Sequence, residues 1–352
     1  MNLSFGQSSA VGPVPFADPA DAVGVALSGL VSLPTVPSGP AVPVPGVPNT
    51  SLLAQAVADV EGAAVGVDGR LVVDPVHLAH DGDRTGWSLE DSAFSMFRLL
   101  IGQLAGNDGD DRPDALRIPF LGPVSLALAL HEAGVPLVRA SALARDVVVH
   151  RAVALFESAR TSLPGTSLLM VMSEPALAGS HHPTFPLRPA EIRSLLTPVV
   201  ESLDAVAAAA FGRAETSLLI GVHVEGPTDW STVVASGVSL LSFPVEHAHA
   251  APASVVAAFL DAGGWVDWGV VPVDRPLGTG DELHWKRLNA LWCTLVGGGA
   301  DPMLLRTQAL VSPAGGLDHF AREQVGLVLE LTGAVALRIR HQAVASRLTL
   351  GA

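Results

Sequence analysis

His223-Val-Glu-Gly-Pro-Thr-Asp-Trp230 follows directly on the apolar run at residues 218–222. A short apolar run closed by Gly-Pro reads as a buried strand passing into a loop. His223 and Glu225 therefore stand at the C-terminal end of a strand, where α/β barrels carry their chemistry.

The same pattern repeats outward from this stretch. Apolar β runs are expected at residues 116–121, 167–172, 217–222, 238–243, 265–271 and 307–312. Helical stretches separate or follow them at 124–133, 140–162, 189–211, 231–236, 252–262 and 281–295. Alternation of this kind predicts a parallel sheet of βα units. Pro189 and Pro252 suit a first helical turn, where the missing N–H would have no partner anyway. Residues 9–14 and 31–36 would supply two more strands, giving eight. The Pro-rich run 34–48 reads either as a polyproline linker or as a strand with its loop. Helices are expected to start near Ser51 and Ser88, one or two more to fill 321–347, and 107–113 to form a polar turn. The fold class expected is α/β, a (β/α)8 TIM barrel, with residues 1–352 as a single domain and 1–70 as its N-terminal strands and Pro-rich loop.

The chain has 352 residues, 49% of them apolar, yet charges and turn residues interrupt every apolar run. None approaches the about 18 residues that a membrane span needs. The net charge is −14 with no basic run, so the positive footprint of a nucleic-acid binder is missing. Cys293 is the single cysteine, which excludes an intrachain disulfide and a multi-thiolate metal site; between Trp292 and Leu295 it reads as a small buried apolar group. The first basic residue is Arg70, so a secretory leader is not expected and the compartment expected is the cytoplasm. Phosphate-loop, nucleophile-elbow and dinucleotide fingerprints are absent.

The opening stretch resembles the His-Cys-Cys-Gly-Asn-Thr-Asp-Trp signature of short proteins related to cobalamin-independent methionine synthase and uroporphyrinogen decarboxylase. Gly263-Gly-Trp-Val-Asp-Trp-Gly-Val-Val-Pro272, Gln308-Ala-Leu-Val-Ser-Pro313 and Pro119-Phe-Leu-Gly-Pro123 are similar to that superfamily as well. The resemblance runs along most of the chain and implies the same barrel. It implies a zinc that activates a thiol, held by a His, a Cys two residues on, an acidic residue after the next strand, and a late Cys. Those places are taken here by His223, Glu225, Pro244 and Gly315. Two amino-acid contacts that the resemblance implies are altered too. Pro13 in Ala10-Val-Gly-Pro13 stands for a Ser, and Ser173 in Met172-Ser-Glu-Pro175 stands for an Asp.

His223 and Glu174 are thus the candidate catalytic residues, with Gly122, Pro123, Ser173, Glu225 and Trp268 as candidate binding residues. No metal or cofactor is expected. If zinc or another metal is held, an all-N/O set from His223, Glu225, Glu246, His247 and His249 is the candidate, with His181 and His182 a weaker supplement to Glu174. The function expected is a methionine synthase-like barrel with a degenerate zinc site, acting as a small-molecule-binding or regulatory pseudoenzyme. The alternative is a methyltransferase or lyase with a rebuilt N/O metal site. A metal-free decarboxylase would want an arginine cluster at the strand ends, which the sequence does not offer. The partner expected is a small molecule, with a protein partner left open and nucleic acid and membrane excluded.

Overall fold

A computed structural model describes residues 3–78, 88–106, 112–211, 218–278 and 280–350. Residue 217 of one expected strand and 107–111 of the expected polar turn lie outside them. The strands are β1 (Gln7–Ser8), β2 (Ala63–Val65), β3 (Leu71–Val73), β4 (Ala115–Leu121), β5 (Ser167–Ser173), β6 (Leu218–His223), β7 (Leu240–Pro244), β8 (Trp265–Val271) and β9 (Ala309–Pro313). β2 and β3 form a small antiparallel hairpin. The other seven make one parallel sheet in the order β1-β9-β8-β7-β6-β5-β4.

Residues 33–38 close this sheet into a ring. Leu33 N–H donates to Ser8 O at 2.8 Å and Ser38 N–H to Gly12 O at 2.9 Å, on the β1 side. On the β4 side, Val36 N–H donates to Arg117 O and Arg117 N–H to Pro34 O, both at 2.9 Å. Pro34 therefore sits where the ladder asks only for its carbonyl, which is how a proline enters a strand without loss. The start of the Pro-rich run is a barrel stave. The fold is a (β/α)8 TIM-type barrel.

Each strand is read by its alternation. In β4, Leu116, Ile118 and Phe120 face the main core shared with the helices, while Ala115 faces inward. Leu3, Leu33, Ala115, Leu169, Val171, Leu219, Leu240 and Leu310 form an apolar floor inside the barrel. Burying a Leu or Val contributes about 1.5–3 kcal/mol, so this layer alone makes the barrel a packed body rather than a pore.

Helices Pro123–Glu132, Leu137–Ser162, Pro189–Phe211, Trp230–Val234, Ala253–Asp261, Glu282–Gly297 and Arg322–Leu350 cover the outside. The last of these occupies the region expected to hold one or two helices. Glu282–Gly297 stops at the triple glycine, with Gly299 at φ 104°. Several features differ from expectation. The strand expected at 9–14 is displaced and short: β1 spans only Gln7–Ser8. Beyond it single bonds, such as Ser9 N–H to Val311 O and Val14 N–H to Ser38 O, carry the pairing past Gly12 at φ 138° and Pro13, which has no N–H. The helix Pro19–Ala26, capped by the Asp18 carboxylate, and the β2–β3 hairpin were not anticipated. Cys293 is exposed, not buried, since Trp292 and Leu295 take the core face of that helix. No helix among the described residues is long and apolar enough to cross a membrane.

Candidate functional site

Parallel strands bring their C-terminal ends to one rim. Gly122 follows β4, Glu174 follows β5, His223 ends β6 and Pro313 ends β9. Ser173 pairs with His223, and His223 with Ser242, across the ladder.

Beneath this rim the barrel interior is polar. Arg117 of β4 reaches Asp267 of β8, with Nη1–Oδ2 at 2.5 Å and both side chains fully buried. β4 and β8 are not neighbours in the sheet, so this bond crosses the inside of the ring. Asp267 Oδ2 also accepts from Ser242 Oγ at 2.7 Å and Ser312 Oγ at 2.9 Å. Arg117 donates further to Ser9 Oγ at 2.9 Å and Ser242 Oγ at 3.3 Å. Burying two charges costs several kcal/mol per ion, offset by their attraction and by hydrogen bonds of this kind. Neither Arg117 nor Asp267 was anticipated as part of the site. The available signal was one charge in the middle of each of two apolar β runs.

His223 stands on this network. Its ring is buried, and Nδ1 lies 2.8 Å from Ser242 Oγ. The Ser242 proton is committed to Asp267, a carboxylate that only accepts, so toward His223 the hydroxyl oxygen is the acceptor. Nδ1 therefore donates to Ser242, which leaves Nε2 turned toward Glu225. Nε2 has no hydrogen-bond partner and lies 3.6 Å from Glu225 Oε1.

Glu225 is half-exposed, at 48% of its side chain. Its Oε1 accepts the Gly316 N–H at 2.9 Å. The carboxylate fills the space above Gly315, where a Cβ would come within 2.6 Å of Glu225 Cδ. Burial pushes the Glu225 pKa up, but His223, the Gly316 N–H and His319 outweigh it, so the net shift is downward. Beside Glu225 opens a cavity of about 440 Å³. Pro13, Leu52, Leu121, Leu128, Ser173 and Asp318 are among its walls.

The other candidates are placed differently. Glu174 is fully buried and does not line the cavity. Its oxygens accept from Val124 N–H at 2.9 Å, Ser125 N–H at 2.7 Å and Ser125 Oγ at 2.6 Å, at the start of Pro123–Glu132. It therefore anchors a helix N-terminus, where N–H groups and the helix dipole hold an anion, and it offers no oxygen to a substrate. Burial pushes its pKa up to about 7, against the lowering pull of Ser125 and Val124. Gly122 leaves room for it, since a Cβ there would run into its carboxylate, and Pro123 opens the helix. Trp268 points out of the barrel. With Asp267 facing in, alternation turns Trp268 outward, where it packs edge-on to Phe243 and Trp292 at 5.5 and 6.1 Å.

The wider metal set does not come together. Glu246 is held by Arg275, with Nη2–Oε2 at 2.5 Å, and by Arg287 at 3.1 Å. His249 Nδ1 turns to Glu246 O at 3.0 Å, and the His247 and His249 rings stand 6.3 Å apart. His182 bonds Thr184 at 2.8 Å, and His181 is exposed. Among the described residues no three His, Cys, Asp or Glu side chains are grouped to hold a metal. A zinc site takes three or four protein ligands. Here two donors, His223 Nε2 and Glu225 Oε1, face each other, and Glu225 is already bound to backbone. This donor set does not fit the thiol-activating zinc that the resemblance implies.

No protein-family model and no curated protein matches the chain. Among solved structures it is similar to a B12-independent methionine synthase from Shewanella in complex with selenomethionine, at 12% identity and a TM-score of 0.41. The match covers 66% of this chain and 64% of that one, so the chain spans less than two thirds of that structure's length. The barrel assignment rests on the closed parallel ring itself.

Proposed function

We propose that this chain is a methionine synthase-like barrel protein whose thiol-activating site has been rebuilt into a small-molecule-binding mouth, so that it acts as a pseudoenzyme. Gly315 carries the reading. The resemblance places a metal-binding thiolate there, whereas the Glu225 carboxylate now lies over the bare backbone and accepts the Gly316 N–H. Filling a lost ligand's space with a bonded carboxylate is remodelling rather than a gap. Residues 1–352 would work as one domain in the cytoplasm, without nucleic acid, since the net charge of −14 disfavours polyanions.

Metal analysis of the purified protein, with an assay of methyl transfer from methyl-folate to homocysteine, tests this. The expected result is zinc well below one equivalent and no turnover. Stoichiometric zinc that is lost in His223→Ala, together with turnover, would overturn the reading in favour of a methyltransferase with a rebuilt metal site. A lyase is a second reading, favoured by the tether Asp267–Ser242–His223, which leaves Nε2 as a positioned base. It requires a pH–rate profile that disappears in His223→Gln.

A further inference from the structure

We infer that the cavity between the loop after β8 and the start of the helix Glu282–Gly297 is a phosphate site, taking the phosphate group of a small ester. None of its wall residues lines the mouth cavity, so this is a second site, and it stands independently of the reading above.

The inference begins with a helix end that nothing closes. Asp281 stands at the N-cap of Glu282–Gly297 but makes no cap bond, because its carboxylate is taken by Arg338 at 2.5 Å. Among the described residues no acceptor meets the backbone N–H groups of Glu282, Leu283 and His284. An uncapped helix turns these groups and the positive end of its dipole toward whatever lies before it, which is how helices hold anions. Here that is a cavity of about 560 Å³, walled by these three residues and by the loop from Pro272. His284 gives an independent sign that the wall is unfinished. It is 4% exposed, its ring belongs to the cavity wall, and neither ring nitrogen has a hydrogen-bond partner. The Val270 carbonyl lies beside it without hydrogen-bond geometry. Whichever nitrogen carries the proton, a buried donor lacks its acceptor, which is costly.

The side chains on the wall select the charge. Arg275, Lys286 and Arg287 stand there against one carboxylate, Glu282, which is already paired with Arg338 at 3.0 Å and Lys286 at 3.4 Å. Arg275 is spent, since its guanidinium holds both Glu246 and Asp274 and so fixes the loop. Neither of those carboxylates lines the cavity. Arg287 gives Nη1 to Glu246 at 3.1 Å and keeps Nε and Nη2, and the Lys286 ammonium has N–H groups beyond its one ion pair. The mouth cavity has the opposite sign, with Glu132, Glu225 and Asp318 as its charged walls. Walls bearing one sign of charge concentrate the opposite ion. Two cations with spare donors beside three backbone N–H groups suit a dianion with three acceptor oxygens better than a carboxylate with two. Pro276, Leu277 and Leu283 leave an apolar stretch for the carbon body of an ester, and the volume lies within the about 300–1,000 Å³ of small-molecule sites.

Isothermal titration of the full chain, in phosphate-free buffer, with glycerol 3-phosphate, inorganic phosphate, acetate and glycerol tests this. A phosphate should bind at least about tenfold more tightly than acetate, the step that one more hydrogen bond to a charged group gives, and glycerol should not bind. The tighter of the two phosphates names the source. Lys286→Gln should weaken that phosphate about tenfold while the melting temperature holds, since Lys286 is 69% exposed. Should the variant melt early, ¹⁵N spectra of the wild-type protein take its place: the Leu283 and His284 amide signals must move on adding phosphate, and that of Gly316, at the mouth, must not. Acetate binding as tightly as either phosphate overturns the phosphate class. No phosphate binding at millimolar concentration overturns the site. Binding that Lys286→Gln leaves unchanged, or that moves Gly316 in place of Leu283 and His284, overturns it as well.

Discussion

Glu174 and Glu225 stand just past the ends of neighbouring strands on the same rim, and their surroundings turn them to opposite ends. Glu174 is sealed against a helix N-terminus by three donors, and burial raises its pKa to about 7. Glu225 has one backbone donor and a histidine beside it, reaches solvent, and is shifted downward. Asp267 belongs with Glu174 on the closed side, as the fully buried partner of Arg117. A carboxylate at a barrel mouth is therefore a site candidate only when its oxygens are not already spent on the framework.

The sharpest break of this contrast is Asp267→Ala. It leaves Arg117 buried without its partner, and chemical denaturation should show a loss of about 3–5 kcal/mol. A loss within about 0.5 kcal/mol, as at a surface position, would place Asp267 with the open group instead.

The pH dependence comes next. The Glu174 pKa rises from 4.5 unfolded to about 7 folded. Its contribution to stability is fully present below 4.5 and is lost as pH rises through about 7. The shift corresponds to roughly 3 kcal/mol between those limits. Glu225 has the opposite sign: its contribution is present above the unfolded value and is lost as pH falls through the lowered one. Glu174→Gln should therefore be less pH-dependent than wild type across this window, in denaturation curves at half-unit steps. An unchanged slope would show that Glu174 is ionised at no cost.

The smallest effect concerns two glycines. In Gly122→Ala the new methyl meets a carboxylate held by three bonds, and overpacking should cost about 1–3 kcal/mol. In Gly315→Ala the methyl meets Glu225, which can swing into solvent, so melting should change by less than about 0.5 kcal/mol. Equal losses at the two positions would erase the contrast between the closed and open sides.

The barrel was legible because six βα units follow one another with clear periodicity, and the six strands β4 to β9 fall within two residues of those expected, whereas β1 lies before the expected 9–14. His223 and Glu225 were legible because they lie two residues apart at the end of one strand. The Arg117–Asp267 pair was not, since its members are 150 residues apart and meet only once the ring has closed. Sequence puts Glu174 at a strand end, but the turn of its carboxylate depends on the Ser125 donors of a different unit. Glu246 looked free until Arg275 and Arg287, on later elements, reached it. Trp268 is the instructive case. Its outward direction follows from the parity of β8, but only after Asp267 is known to face inward.

The two-residue strand β1 has a consequence for how the ring forms. Gln7 pairs with Leu310, and residues 33–38 join β1 to β4, so the seam needs both ends of the sequence at once. Strands β4 to β9 pair with near neighbours in the chain and can assemble in order. The seam is the contact of longest range, and such contacts form late because their loop-closure entropy is largest. Amides of Gly6 and Ser9, which donate to Ala309 and Val311, should thus be the last of the barrel ladder to gain protection from hydrogen exchange during refolding, and the first to lose it.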